Sequence, residues 1–251
     1  MLEITSVTND KIKDVVKLQQ KKYRNEKSLF LIEGHKPISE AYLEKAEIIA
    51  VYTTPKYLEK FSFVKDKITL VSEAVLEKIS TTDSVCEAVA VAKQKNYTLE
   101  NIKNAKKIAL IENIKDAGNL GTLIRSACAF SIDAIVLCGD TIDIYNPKVV
   151  RSTVGGLFKI PIIKTNLNEI KNIFSNYNFI ATVLNHSDIV NPETIDYTKP
   201  FVIMLGSEAN GLTKEAIDNS NIKTTIPMAK NTESLNLGVA GSILFYLTTQ
   251  N

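Results

Sequence analysis

From residue 107 onward, short apolar runs alternate with amphipathic stretches. The runs fall at 107–112, 133–138, 179–184, 201–205 and 223–227, and helical patterns fill 119–130, 167–175, 213–219 and 234–248. Parallel strands need a crossover between them, so this order implies a mostly parallel α/β sheet with helices on both faces. Such sheets place ligands outside the carboxyl ends of their strands. Three polar segments fall there: Asn119 to Arg125, Leu205 to Gly211, and Ile226-Pro227-Met228 followed by Glu233 to Leu237. They are far apart in sequence, so one site requires folding to assemble it.

The first 95 residues read as a smaller α/β unit. A helix is expected over 9–24, with Asn9 or Asp10 as cap and Ile12, Val15 and Val16 on one face. Strands follow at 28–33, 48–52, 68–71 and 88–92, with helices at 36–46 and 73–79. Residues 93–106 are polar and lack a sustained apolar period, which sets the expected division at 1–95, a linker at 96–106, and 107–251. The first helix carries Lys11, Lys13, Lys17, Lys21, Lys22 and Arg24, with Lys27 just beyond. A charge run of this kind is either a solvated face or a footprint for nucleic-acid phosphates, and charge alone favours the solvated face. Net charge is +2, which neither requires nor excludes nucleic acid.

Three cysteines without a C-x-x-C pair, and only two histidines, argue against a zinc site; reduced cytosolic thiols are the simpler expectation. Neither a signal-peptide pattern nor an apolar run of the roughly 20 residues a membrane span needs is present, so a cytoplasmic protein is expected.

Each polar segment has two readings. Asn119 is placed to cap a helix, and Arg125 is either a surface cation or a fork for phosphate oxygens. Gly206 and Gly211 bracket a loop holding Glu208, a plain strand–turn–helix connection or a backbone cradle for a ligand. That loop is neither a Walker P-loop nor a G-x-G-x-x-G turn. After Pro227, Ser234 is either the cap of the last helix or, with Asn236, a ligand contact. That helix is small or apolar all round, which places it in a core or at a subunit interface. Asn146 to Gly156 joins Lys148 and Arg151 to a glycine-rich turn that suits either a tight loop or a polyanion. His186 is expected as an exposed loop residue.

Together these segments resemble the SpoU (TrmH) family of RNA ribose 2′-O-methyltransferases, in the SPOUT superfamily, over roughly residues 105–251. Asn119 to Arg125 resembles motif 1, the G-x-E-x-x-G of Gly206 to Gly211 motif 2, and "IPM" with "ESLNL" motif 3. "NPKVVRSTVGGLFKIP" resembles the stretch between motifs 1 and 2. The "FLIEGHKPISEAYL" region is similar to the family's N-terminal substrate-binding domain. The resemblance implies an α/β-knot, with a deep trefoil near the C-terminus, S-adenosylmethionine as cofactor, RNA as substrate, a homodimer, and no metal. It assigns catalysis to Arg125, supported by Asn119, Glu208, Ser234 and Asn236. It assigns cofactor binding to Leu184, Leu205, Gly206, Gly211, Ile226, Met228, Ser234 and Leu235. It raises Lys17, Lys21, Lys22, Arg24, Lys148 and Arg151 as RNA contacts. Ribosomal RNA is the preferred substrate, with transfer RNA and a non-catalytic RNA-binding role as alternatives. An ordinary nucleotide-binding open sheet would need the missing phosphate loop.

Overall fold

The computed structural model describes residues 3–82, 86–184 and 186–250. The chain forms two compact units, one from residues 1–95 with 143–158 and the other from 96–142 with 159–251. Elements are numbered in chain order.

In the first unit, β1 (Glu3–Ile4), β2 (Leu29–Glu33), β3 (Ile48–Thr53), β4 (Ile68–Val71) and β5 (Ala88–Lys93) form a mixed sheet of order β1-β4-β3-β5-β2. β5 runs antiparallel to both β2 and β3. Around it lie α1 (Asp10–Lys17), α2 (Lys21–Lys27), α3 (His35–Leu43), α4 (Glu73–Ile79) and a kinked 3-10 segment, Pro55–Lys67. Ile12, Val15, Leu31, Val71, Val75 and Val91 close one core.

The expected single helix over 9–24 is two helices. The chain turns at Leu18, whose side chain is buried, and the Gln19 amide donates to the carbonyls of Lys78, Ile79 and Ser80 at the end of α4. The last carbonyls of a helix have no partner within it. Arg24 supplies one here: its Nη1 donates to the Leu18 and Gln19 carbonyls at 3.0 and 2.8 Å. Its Nε and Nη2 donate to Asp143 Oδ2 at 3.0 and 2.6 Å. Arg24 is 2% exposed, so it is a structural bracket and not a surface cation.

Asp143 belongs to the segment 143–158, which the sequence pattern places within the second domain and which packs with the first unit instead. Tyr145 packs against Phe30 at a 45° tilt with centroids 4.5 Å apart, and its hydroxyl donates to the Lys95 carbonyl at 2.8 Å. The helix α6 (Pro147–Thr153), capped by Asn146, brings Arg151 to Glu33 at 2.6 Å.

The second unit is a fully parallel seven-stranded sheet. It contains β6 (Lys107–Glu112), β7 (Ala134–Cys138), β8 (Ile162–Lys164), β9 (Asn178–Thr182), β10 (Ile189–Val190), β11 (Phe201–Leu205) and β12 (Ile222–Thr224), in the order β10-β12-β9-β11-β6-β7-β8. Its helices are α5 (Ala117–Ala129), α7 (Leu167–Ile173), α8 (Lys214–Asp218) and α9 (Leu237–Leu247). β11 inserts between β9 and β6, both of which precede it in the chain. Residues 96–106, expected as a linker, are part of this unit. Leu99–Ile102 is a 3-10 turn, and Ile102 and Ala105 are buried with Leu110, Phe179 and Val202.

The strand patterns at 179–184 and 223–227 run past the observed strand ends, Thr182 and Thr224. Val183, Leu184, Ile226 and Met228 are apolar without being in the sheet, because they line a cavity.

Arg24→Ala leaves a nearly buried carboxylate without its cation and two helix-end carbonyls without a donor. Breaking such a pair costs about 3–5 kcal/mol, and urea unfolding is expected to show a loss of that size. A change within about 1 kcal/mol, the ceiling for an exposed ion pair, would return Arg24 to the surface reading.

Candidate active site

A cavity of about 740 Å³ opens at the carboxyl ends of β9, β11 and β12. That size falls within the roughly 300–1,000 Å³ of sites that hold small ligands. Three stretches wall it: residues 182–184 with His186, the loop Gly206–Leu212, and Thr224 through Ala240 in part, with Ile217 and Leu244 adding apolar surface.

The Gly206–Leu212 loop is a tight return. Ser207 and Gly211 exchange both backbone hydrogen bonds at 3.0 Å. A Cβ on Gly206 would lie 1.9 Å from the Gly211 carbonyl carbon, and Gly211 holds φ at +67°, so both positions demand glycine. Beyond the loop, Thr213 is pinned to Glu112 at the end of β6: its N–H and Oγ1 donate to the carboxylate at 2.8 and 3.1 Å.

Asn119 does not cap α5. The cap is Asp116, whose carboxylate accepts from the Asn119 N–H at 2.7 Å. This places Asn119 in the first turn with its amide free for a second task. Nor does Ser234 cap α9; Asn236 does, its Oδ1 accepting from the Val239 N–H. Asn236 Nδ2 must then donate, and it does, to Asn119 Oδ1 at 2.8 Å. Asn119 Nδ2 in turn donates to Glu208 Oε1 at 2.8 Å. One directional chain of hydrogen bonds thus runs from the N-terminus of α9, through α5, to the carboxylate of the glycine loop. Each member fixes the amide orientation of the next.

The structure therefore brings Leu184, Gly206, Glu208, Gly211, Ile226, Met228, Ser234, Leu235 and Asn236 to one cavity. Asn119 is 8% exposed and stands behind the wall, joined to it through Glu208 and Asn236. Leu205 lies at the end of β11, 1% exposed, and is not a lining residue. Arg125 is not a lining residue either; it is exposed on α5. His186, exposed in its loop as expected, and Glu233 also line the cavity, a place that sequence reasoning did not assign to either. Glu233 sits inside the third segment, so only its chemistry, a carboxylate facing a ligand, was there to be read.

α9 packs on α5 at very close range: a Cβ on Gly241 would fall 2.2 Å from Leu123 Cδ2. Ser242 Oγ donates to the Gly238 carbonyl, so Ser126 Oγ donates to Ser242 at 2.6 Å. A flanking stripe of the helix leaves Val239 and Tyr246 about half exposed, with Tyr246 5.6 Å from the Phe130 ring at the end of α5.

Burial first, then Glu112 and Glu169, pushes the Cys138 thiol up to about 12, so it is protonated and no nucleophile. None of the three cysteines forms a disulfide. Among the described residues no cluster of His, Cys, Asp or Glu could hold a metal, and no helix is long and apolar enough to cross a membrane.

Of the expected RNA contacts, Lys21, Lys22 and Lys148 are exposed. Lys17 pairs with Asp14 at 2.8 Å. Arg151 is held by Glu33 and by Thr81 Oγ1, the latter at 2.5 Å.

The model of the SpoU rRNA methylase family matches residues 106–246, and that of the MRM3-like substrate-binding domain matches residues 9–90. The chain belongs to the SpoU rRNA methylase family. It is 31% identical over 252 residues to the 23S rRNA (guanosine(2553)-2′-O)-methyltransferase RlmP of Bacillus subtilis, covering 98% of each. It is 25% identical over 233 residues to the 23S rRNA (uridine(2479)-2′-O)-methyltransferase of Streptomyces viridochromogenes, covering 86% of this chain and 81% of that one. Among solved structures, the AdoMet-bound rRNA methyltransferase of Sinorhizobium meliloti superposes with a TM-score of 0.88 at 30% identity, over 98% of this chain and 97% of that one.

Asn119→Asp converts a donor into an acceptor and sets two carboxylates against each other at the Glu208 contact. Cofactor affinity, measured by calorimetry with S-adenosylmethionine, is expected to fall at least about tenfold, or roughly 1.4 kcal/mol. Asn119→Ala, which removes the donor without adding charge, is expected to fall less. The reverse order would mean that the directional chain does not shape the cavity.

Proposed function

We propose that this chain transfers a methyl group from S-adenosylmethionine to a ribose 2′-hydroxyl of ribosomal RNA. The observation that carries the reading is the cavity itself, which gathers the glycine loop and the third polar segment at the carboxyl ends of three parallel strands. The two curated relatives named above are 23S rRNA 2′-O-methyltransferases.

The residues present fit a sulfonium nucleoside. Leu212, Ile217, Met228 and Leu244 offer apolar surface for a base, and Glu208 and Glu233 put carboxylates in the wall where a cation would be held. The backbone of residues 206–211 can approach closely because Gly206 has no Cβ. When bound, the cofactor supplies an electrophilic methyl carbon, to which the 2′-oxygen bonds as the sulfur–carbon bond breaks. The protein's part is largely placement, which can contribute roughly 7–11 kcal/mol when reactants are held at near-attack distance.

Arg125 is the catalytic residue of this reading. Its planar guanidinium fork orients the target phosphate and hydroxyl and stabilises the oxygen as its proton passes to solvent water. Arg125 shares the exposed side of α5 with Thr122 and Ala129, and the neighbouring α9 exposes Val239 and Tyr246. A homodimer formed through this surface covers the apolar residues and carries Arg125 toward the cavity of the second copy. The first unit serves as the RNA-binding domain, in the cytoplasm where the substrate is found. The insertion of β11 between two strands already laid down supports the deep trefoil knot.

Incubation with methyl-labelled cofactor and total RNA, followed by mapping of 2′-O-methyl sites, tests the reading. Label in ribosomal RNA supports it, and transfer to no RNA overturns it in favour of a non-catalytic binder. Arg125→Ala is expected to lower methyl transfer by at least about a hundredfold, the order typical of removing one preorganised charge-stabilising group, with cofactor affinity within about twofold. Unchanged turnover removes Arg125 from the chemistry. Val239→Glu buries a charge in the proposed interface and is expected to give a monomer by sedimentation; a dimer of undiminished stability places the interface elsewhere.

A further inference from the structure

The first unit carries an aromatic face that the methyl-transfer chemistry does not use. β2 and β3 run in the same direction, both antiparallel to β5, so α3 and the Pro55–Lys67 segment start from the same end of the sheet. Four rings join the two elements. Phe63 lies 5.1 Å from Tyr42, 6.1 Å from His35 and 6.2 Å from Phe61, and His35 lies 5.5 Å from Phe61. Phe61 is fully buried and backs the cluster, while Tyr42 is 47% exposed and its neighbour Leu43 is 69% exposed. A half-exposed aromatic ring held by a tilted contact with Phe63 can serve as a stacking platform, and its apolar exposure asks for an occupant.

Cations flank it. Lys36 is exposed in the first turn of α3, and Lys56 is exposed with Nζ 5.0 Å from the centre of the Tyr57 ring. Lys60 reaches the same ring and pairs with Glu87 at 2.5 Å. Glu44, Glu59 and Asp66 are also exposed on these elements, so the face is not a general polyanion patch; the rings must add to what the lysines attract. The basic helices α1 and α2 are less available than their sequence suggests. Lys13, Lys17 and Lys27 are paired with Asp10, Asp14 and Glu26, and Arg24 is buried. Each such pair must open before its cation meets a phosphate.

We propose that this face stacks an unpaired base of the RNA substrate, with Tyr42 as the platform and Lys36 and Lys56 on the flanking phosphates. The inference rests on the RNA-methyltransferase reading and names the surface and the kind of RNA that the first unit takes.

The chain contains no tryptophan, so Tyr42→Trp installs a single indole at the platform. An oligoadenylate of about 12 nucleotides, within the site sizes of single-strand binders, is expected to quench it, and an RNA duplex of equal length is not. Tyr42→Ala is expected to lower oligoadenylate affinity roughly 5- to 100-fold, the span of losing one stacked base, with cofactor affinity unchanged. Replacing Lys36 and Lys56 with Ala should flatten the salt dependence of log K by roughly 0.7 for each phosphate no longer neutralised. The same change at Lys21 and Lys22 should alter it less. Absence of quenching together with unchanged affinity of Tyr42→Ala overturns the proposal. So does quenching by a ribosomal-protein fraction but not by RNA, which assigns the face to a protein. If the parent methylates ribosomal RNA and Tyr42→Ala binds RNA normally, only this inference falls. If the parent methylates no RNA, the reading beneath it falls.

Discussion

The hydrogen-bond chain Val239 N–H to Asn236 to Asn119 to Glu208 is the constraint on which the site depends. It begins at a helix N-terminus, where an N–H must find an acceptor outside its own helix. That requirement turns the Asn236 oxygen inward and leaves only its amide hydrogens for Asn119. The same logic passes one step further and leaves Glu208 receiving. Three segments spread over 117 residues, from Asn119 to Asn236, are thereby held in one relative placement. Hydrogen bonds to a charged acceptor are worth more than neutral ones, and more again out of water. Asn119 is nearly buried and Glu208 is exposed, so the last link of the chain is only partly screened from solvent.

Close backbone approach does the rest. Gly206 lets the motif loop fold back on itself, and Gly241 lets α9 settle against Leu123 and Leu205. A methyl group at Gly206 would meet backbone and force the loop open, whereas one at Gly241 would meet the ends of the Leu123 and Leu205 side chains and require them to shift. The helix that looks apolar all round thus serves three surfaces. One side is packed on α5, Leu237, Ala240 and Leu244 face the cavity, and a flanking stripe leaves Val239 and Tyr246 half exposed, the surface that the proposed mechanism gives to a second copy.

The helix–strand alternation of the second unit was readable because its periods are local properties. Phe201–Leu205 and Lys107–Glu112 begin and end as the pattern predicts. Errors gathered where residues serve something other than their own element. Val183, Leu184 and Ile226 read as strand because they are apolar, yet they leave the sheet to wall the cavity with Met228. Leu18 and Gln19 read as mid-helix, yet they turn to reach the core and the end of α4. Arg24 reads as one more cation in a basic run, but its guanidinium closes a helix end and meets Asp143, 119 residues away. Periodicity cannot see a partner at that distance.

From the sequence alone came the parallel α/β alternation, the three polar segments at strand ends and the family they resemble, since all of these are patterns within short windows. Tertiary structure decided which asparagine caps which helix, that residues 143–158 join the first unit, and that Arg125 stands apart from the cavity of its own chain. The reason is physical. Propensity and hydrophobic period act over a few residues, whereas the direction of a hydrogen bond and the pairing of a buried charge depend on what folding brings alongside.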